Sequence, residues 1–466
     1  MMKIDNSLTE TQLMPGLRRM WELSAQKIGL LRKRWDNSKG TPVFTEAGIY
    51  TSRGWTEWTR GFQFGSALLQ FDASGEAEFL SYGREQTVRL MASHVSHTGV
   101  HDHGFNNVST YGTLLRLVQE GRIPRAEWER QFYELALKTS GAVQAARWTP
   151  LPEGLGYIYS FNGPHSLFAD TIRSLRSLAL AHVLGQRLMG EQDQAVNLLH
   201  RLLTHAETTA RFNVYFGTGR DAYDVRGRVA HESIFNVSNG SYRCPGTQQG
   251  YSPFSTWTRG LAWILLGFAE ELEFLDSLKA GEFKPGWEKK NVLKRFLDVA
   301  KAVADFYVNE MPADGIPYWD TGAPGLASLG DYQNQPADPF NEYEPVDSSA
   351  AAIAAQGFIR LGTYLKGTGE KKSAPRYLKA GLTIASSLLQ EPYLSTESRH
   401  QGLLLHSVYH RPNGWDYVPP GKNIPSGESS MWGDYHLREL GLLIQRLATG
   451  QPYYSFFRGI HSTASR

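Results

Sequence analysis

Apolar residues recur at three- and four-residue spacing through most of this 466-residue chain, while strand-like alternation is nearly absent. That periodicity predicts an all-α fold. Stripes of this kind begin near Leu17, Gly61, Glu76, Asn107, Arg125, Leu167, Asp193, Trp257, Lys289, Ser348, Lys372 and Met431, each running about three to five turns. Helices in succession without alternating strands pack as antiparallel pairs, so the expected architecture is an (α/α)6 six-hairpin toroid, six inner helices surrounded by six outer ones. An internal echo agrees with this, since Trp58-Thr59-Arg60-Gly61 and Trp257-Thr258-Arg259-Gly260 each open an apolar helix. The connections 149–166 and 313–345 are too long for tight turns and are expected to form the pocket mouth. From Thr208 to Cys244 the helical pattern fades, and one short hairpin is expected there. No composition break divides the chain, so residues 1–466 are read as a single catalytic domain.

Charge narrows the partners. With 48 basic and 46 acidic residues, a net charge of +2 and no long run of one sign, nothing favours nucleic acid or an anionic membrane. The longest apolar runs, such as Leu261 to Phe268, are too short to cross a bilayer, and the first residues lack the basic stretch and apolar core of an export signal. Cys244 is the only cysteine, which excludes an internal disulfide and a cysteine-based zinc knuckle and fits a reducing, cytoplasmic setting. The expected partner is a small molecule; the oligomeric state is left open. Twelve Trp, 22 Tyr and 22 Phe, many beside Gly, Asp, Asn or Arg, suit a carbohydrate site, where rings stack on sugar faces and polar groups meet hydroxyls.

Two acidic residues stand out against that background. Asp102 lies in His101-Asp102-His103-Gly104-Phe105, and Asp170 heads the apolar segment TIRSLRSLALA. A carboxylate pair in one pocket can divide labour, one group carrying a proton while the other holds a hydroxyl, once their surroundings push the pKa values apart. The alternative for each is a plain helix cap. His94, His97, His101 and His103 have a spacing that invites a metal, but Gly99 and Gly104 end the helix before His101, so hydrogen-bonded histidines are the reading and no metal is expected. Gly217-Thr218-Gly219 lacks the strand, third glycine and helix of a phosphate loop, no GxSxG elbow occurs, and Cys244 precedes Pro245 without an obvious base. No cofactor is expected.

HDHGF around Asp102, ADTIRSLRSLALA around Asp170, GTQQGYSPFSTWTRGLAWILLGF (246–268), DGIPYWD (314–320), DSSAAAIAAQGFIRL (347–361) and MWGDYHLREL (431–440) resemble, in order, landmarks of the unsaturated glucuronyl hydrolases, glycoside hydrolase family 88. WTRGF (58–62) fits as well, and the resemblance runs from about Trp55 to about Leu440. It implies the six-hairpin toroid. It also implies removal of a 4,5-unsaturated uronic acid from lyase-generated oligosaccharides by hydration of the enol ether, with Asp170 as general acid/base. Asp170 should then lie where its carboxyl is kept neutral near working pH, with Asp102 as the neighbour that raises it. By the same resemblance Asp102 also binds ring hydroxyls, His101 orients the sugar, and His231, Gln249, Arg259 and Trp263 are pocket positions. Arg259 is expected to engage substrate anions and Trp263 to stack, with Trp58 a further stacking candidate and Ser426 and Ser429 a serine pair contacting substrate. Gln248 and Leu261 depart from the family pattern, as does Arg226-Gly227-Arg228, which bears on substrate preference. The alternatives are an unsaturated rhamnogalacturonyl hydrolase, a non-catalytic oligosaccharide-binding protein on the same toroid, and an epimerase using histidine bases.

Overall fold

The computed structural model describes residues 1–55, 57–370 and 372–460. Its principal helices are α1 (Met14–Arg34), α2 (Arg60–Ser74), α3 (Ala77–Leu90), α4 (103–119), α5 (Glu127–Ala146), α6 (171–183), α7 (Leu198–Phe212), α8 (Thr258–Ser277), α9 (Lys289–Glu310), α10 (Ser348–Gly367), α11 (Ala374–Leu388) and α12 (Met431–Thr449). A π turn at Val108–Gly112 interrupts α4, and Leu175 breaks α6 between Thr171–Ser174 and Arg176–Val183. Every expected stripe has its helix, in order. The largest displacement is at Asp193, because a small hairpin pairing Arg187–Met189 with Ala195–Asn197 precedes α7.

The even-numbered helices touch in sequence, α2 to α4, α6, α8, α10 and α12, and α12 returns to α2, closing a ring. Odd-numbered helices pack outside it. Helices α8 and α10 are buried on nearly every side, as inner helices must be, whereas α7 buries an apolar stripe with Thr204, His205, Thr208 and Thr209 beside it and leaves Arg201, Glu207 and Arg211 toward solvent. Two inner crossings depend on missing side chains. A Cβ on Gly61 would lie 2.3 Å from the Asn106 carbonyl oxygen, and one on Gly104 would lie 2.2 Å from that of Ser174. The architecture is the helical toroid the periodicity predicts.

All inner helices run the same way, so their N-termini gather at one face. Contacts at that end join Arg259 to Asp347, Trp58 to Trp432 and His101 to Asp170. Deeper, Arg173 on α6 reaches Glu439 on α12 at 2.7 Å and Glu270 on α8 at 3.0 Å, spanning the ring and filling its lumen. Toward the C-termini, Arg116, Asp72 and Arg446 tie α4, α2 and α12 together. The far end is closed by matched charge.

Short hairpins decorate the open face. Glu232–Phe235 pairs with Tyr242–Gly246, which is the hairpin expected between Thr208 and Cys244, and Ser166–Phe168 adds a third strand with Leu167 opposite Ser233. Among the described residues no helix is long and apolar enough to cross a membrane.

Candidate active site

Above the charged lumen lies a cavity of about 590 Å³ at the N-terminal face, lined in part by Trp58, His101, Asp102, Asp170, Gln249, Arg259 and Trp263. Asp102 occupies the N-cap position of α4 and Asp170 that of α6, yet neither side chain makes the capping hydrogen bond. Both carboxylates are turned to another use. Gly104 lets α4 approach α6, and the imidazole of His101 sits between the two acids, its Nε2 at 3.3 Å from Asp170 Oδ1 and 3.6 Å from Asp102 Oδ1. Phe161 stacks on the His101 ring and Phe168 meets it edge-on.

This arrangement drives the pKa values apart. Burial pushes the Asp102 carboxyl up to about 6, and the nearby Asp170 charge adds to the effect. Burial raises Asp170 too, but the hydrogen bond and charge of His101, with Arg259 behind, outweigh it and hold Asp170 below the usual carboxylate value. Burial alone would lower His101; the charge of Asp102 and the hydrogen bond to Asp170 hold it above an ordinary histidine. The sequence-based expectation was the reverse for Asp170. Asp102 is the carboxyl that keeps its proton to the higher pH, because His101 hydrogen-bonds to Asp170 instead.

Other expected residues divide. Trp58 lines the cavity while stacking on Trp432 at 5.2 Å, and Trp263 forms part of the floor against Phe105 and His436. Arg259 is no free anion receptor: it donates to Asp347 and Val408 O through Nη1, and to Gln249 Oε1 (2.9 Å) and Tyr409 O (2.7 Å) through Nη2. It is also sandwiched between Trp257 and Trp432. Its four bonds fasten the rim segment at 408–409 to the cavity wall and fix Gln249 by its oxygen, leaving the Gln249 amide nitrogen for a ligand. His101 lines the cavity too, meeting both carboxylates through Nε2 while its buried Nδ1 makes no hydrogen bond among the described residues.

His231 does not line the cavity. It lies beneath the 247–249 turn, where Nδ1 accepts from the Gln248 amide at 3.1 Å, and burial takes it down to about 4, a neutral ring. Ser426 and Ser429 are outside the cavity as well; Ser429 is fully buried, its hydroxyl donating to Leu404 O at 2.7 Å and its backbone amide donating to Thr45 Oγ1 at 2.8 Å. Leu261 faces the core, while Gln248 lines the cavity. The histidine series disperses: His103 bonds Ser140 and the His97 carbonyl, and His94 faces Glu57. Among the described residues no group of three or more His, Cys, Asp or Glu side chains is placed to hold a metal.

Sequence reasoning missed Phe161, Trp257, Tyr409, His410 and Trp415, all lining the cavity. Phe161 lies in the long 149–166 connection, as expected of such a loop. The 313–345 connection instead stands behind the wall, Asp320 accepting from the Tyr251 amide at 2.9 Å. The segment Tyr409-His410-Arg411-Pro412-Asn413-Gly414-Trp415 carried its own signal, a Pro-Asn-Gly turn bracketed by aromatics.

No family model matches the chain. Several curated relatives do. The unsaturated glucuronyl hydrolase of Bacillus sp. (strain GL1) is 26% identical over 410 residues, 85% of this chain and 89% of that protein. That of Formosa agariphila is 24% identical over 386 residues, 82% of this chain and 78% of that protein. Among solved structures, an unsaturated glucuronyl hydrolase specific for heparin shares the fold with a TM-score of 0.70 at 20% identity, covering 94% of this chain and 98% of that one. In its helical toroid and over most of its length the chain is similar to the unsaturated glucuronyl hydrolases.

Proposed function

We propose that the protein is a glycoside hydrolase that removes a 4,5-unsaturated uronic acid from the non-reducing end of lyase-generated oligosaccharides, with Asp170 and Asp102 at its chemical centre. The observation that carries this reading is the His101 imidazole held between two buried carboxylates at the floor of an aromatic cavity. The cavity lies at the gathered N-termini of the inner helices, whose positive dipole ends suit an anionic ligand. A uronate carboxylate meets that requirement. Gln249 offers an amide donor, and Trp58 and Trp263 offer flat apolar surface for a sugar ring.

The C4=C5 bond of the sugar is an enol ether through the ring oxygen. Asp170 delivers a proton to C4, leaving the cation shared by C5 and the ring oxygen. Water adds at C5 and its proton goes to the Asp170 carboxylate, giving a hemiketal. The ring opens as C5 becomes a ketone, and the hemiacetal left at C1 collapses to an aldehyde and expels the rest of the chain as an alcohol. His101 holds the Asp170 carboxyl below the usual carboxylate value and is itself held above an ordinary histidine. An arriving uronate and the loss of water raise the proton affinity of Asp170, and the 3.3 Å bond from His101 is the path by which it is charged. Asp102, neutral in part, keeps a proton donor for a ring hydroxyl.

The double bond is conjugated with the carboxylate, so its loss is followed by ultraviolet absorbance. Asp170→Asn should lower turnover of an unsaturated oligosaccharide by about 10²- to 10⁴-fold with the fold intact. A wild-type rate in that variant overturns the assignment. A cytoplasmic setting is part of the same proposal, supported by the single, unpaired and exposed Cys244.

A further inference from the structure

Beyond the mouth of the main cavity lies a second one of about 360 Å³, walled by Arg53, Gly54, Trp55 and Trp415. Trp55 and Trp415 belong to both cavities, so the two are continuous. Trp55 is 86% exposed and has φ of 66°, in the left-handed region that a bulky side chain rarely occupies. Its only ring neighbour among the described residues is the half-exposed Phe161, edge-on at 6.5 Å. Folding gains nothing from displaying the largest aromatic side chain to water on a strained backbone. Trp415 is better supported, packed against Tyr409 and His410, and its carbonyl receives the Arg53 guanidinium at 3.1 Å. Arg53 therefore joins the two tryptophan-bearing loops into one wall.

The charge of that wall is spent. Arg53 pairs with Glu46 and Arg259 with Asp347, while burial takes His410 down to about 4. Aromatic planes without an uncompensated cation suit the apolar faces of neutral sugar rings and give a sulfate group nothing to pair with.

We infer that Trp55 and Trp415 form an outer subsite for a neutral sugar ring on the leaving side of the substrate, beyond the residue joined to the unsaturated uronic acid, so that the enzyme favours neutral oligosaccharides of three or more rings over disaccharides. This rests on the proposed hydrolase reading. It deepens it by naming the length and charge of the preferred substrate.

The test compares an unsaturated disaccharide with a neutral tetrasaccharide bearing the same terminal uronic acid and linkage. Trp55→Ala and Trp415→Ala should each lower kcat/KM for the tetrasaccharide about tenfold more than for the disaccharide, the size expected of one lost ring stack. Trp55→Phe should restore most of the difference. Equal losses on both substrates, or none on the tetrasaccharide, overturn the subsite. A gain in wild-type kcat/KM from a sulfate on the third ring overturns its neutral character. Calorimetry with a saturated neutral tetrasaccharide reads the subsite without turnover: weaker binding in Trp55→Ala supports it and unchanged binding overturns it. Absence of absorbance loss on both unsaturated substrates with wild-type protein counts against the hydrolase reading, and calorimetry then decides the subsite alone.

Discussion

Replacing Asp102 by asparagine keeps the shape of the side chain and removes its proton. The folded protein holds that proton up to pH about 6, whereas the unfolded chain releases it near the ordinary value of 3.8. Between these two values the unfolded state gains from ionisation while the folded one still holds its proton, so the wild type loses stability as pH rises from about 4 to about 6 and no further above that. With each pK unit worth about 1.4 kcal/mol, the gap corresponds to about 3 kcal/mol, roughly half of it expressed by pH 5. The group is 6% exposed, so solvent screening takes little from that figure. Asp102→Asn lacks the proton and the pH dependence with it. Urea unfolding of both proteins at pH 4 and pH 8 should show near-equal stability at the lower pH and a variant more stable by about 2 to 3 kcal/mol at the higher, while turnover falls. A difference that does not change with pH, or a variant less stable at pH 8, refutes the claim that burial raises this carboxyl.

Two further substitutions test the scaffold. Gly104→Ala places a methyl group against the Ser174 carbonyl at the crossing of α4 and α6; thermal unfolding should register a loss of about 1 to 3 kcal/mol, and activity should fall further as Asp102 and Asp170 separate. Arg259→Met leaves Asp347, fully buried, without its partner; a loss of about 3 to 5 kcal/mol in chemical denaturation is expected, with KM rising as the 408–409 rim segment comes free.

Much of the ring was legible because its information is local. The order of the inner and outer helices follows from stripes that each segment carries within itself, and the starts at Lys289, Ser348 and Met431 coincide with the structure. The displaced starts mark places where tertiary pairing intervenes: Leu167 lies in a strand bonded to residues near Ser233, more than sixty positions away. The short hairpins at Phe44–Thr51 and Trp148–Ile158 have strands of three residues, too brief for an alternation to register. At the site, the spacing of Asp102 and Asp170 behind helix starts revealed two acids but not their order of proton affinity. That order is set by which carboxylate His101 reaches more closely. Arg259 was misjudged for the same reason, since its partners Asp347, Val408 and Tyr409 lie 88 to 150 positions away. The resemblance makes Ser429 a substrate contact, whereas its bonds to Leu404 and Thr45 make it part of the packing.

The bridge from Arg173 to Glu439 and Glu270 turns the ring into a cul-de-sac. A doorway that serves for arrival must also serve for departure, so nothing can thread through the molecule from one side to the other. On the proposed reading, the severed chain, lying outermost, leaves by the same mouth as the open-chain keto acid behind it. On that reading, such a chamber suits a chain that presents its tip, one terminal unit at a time.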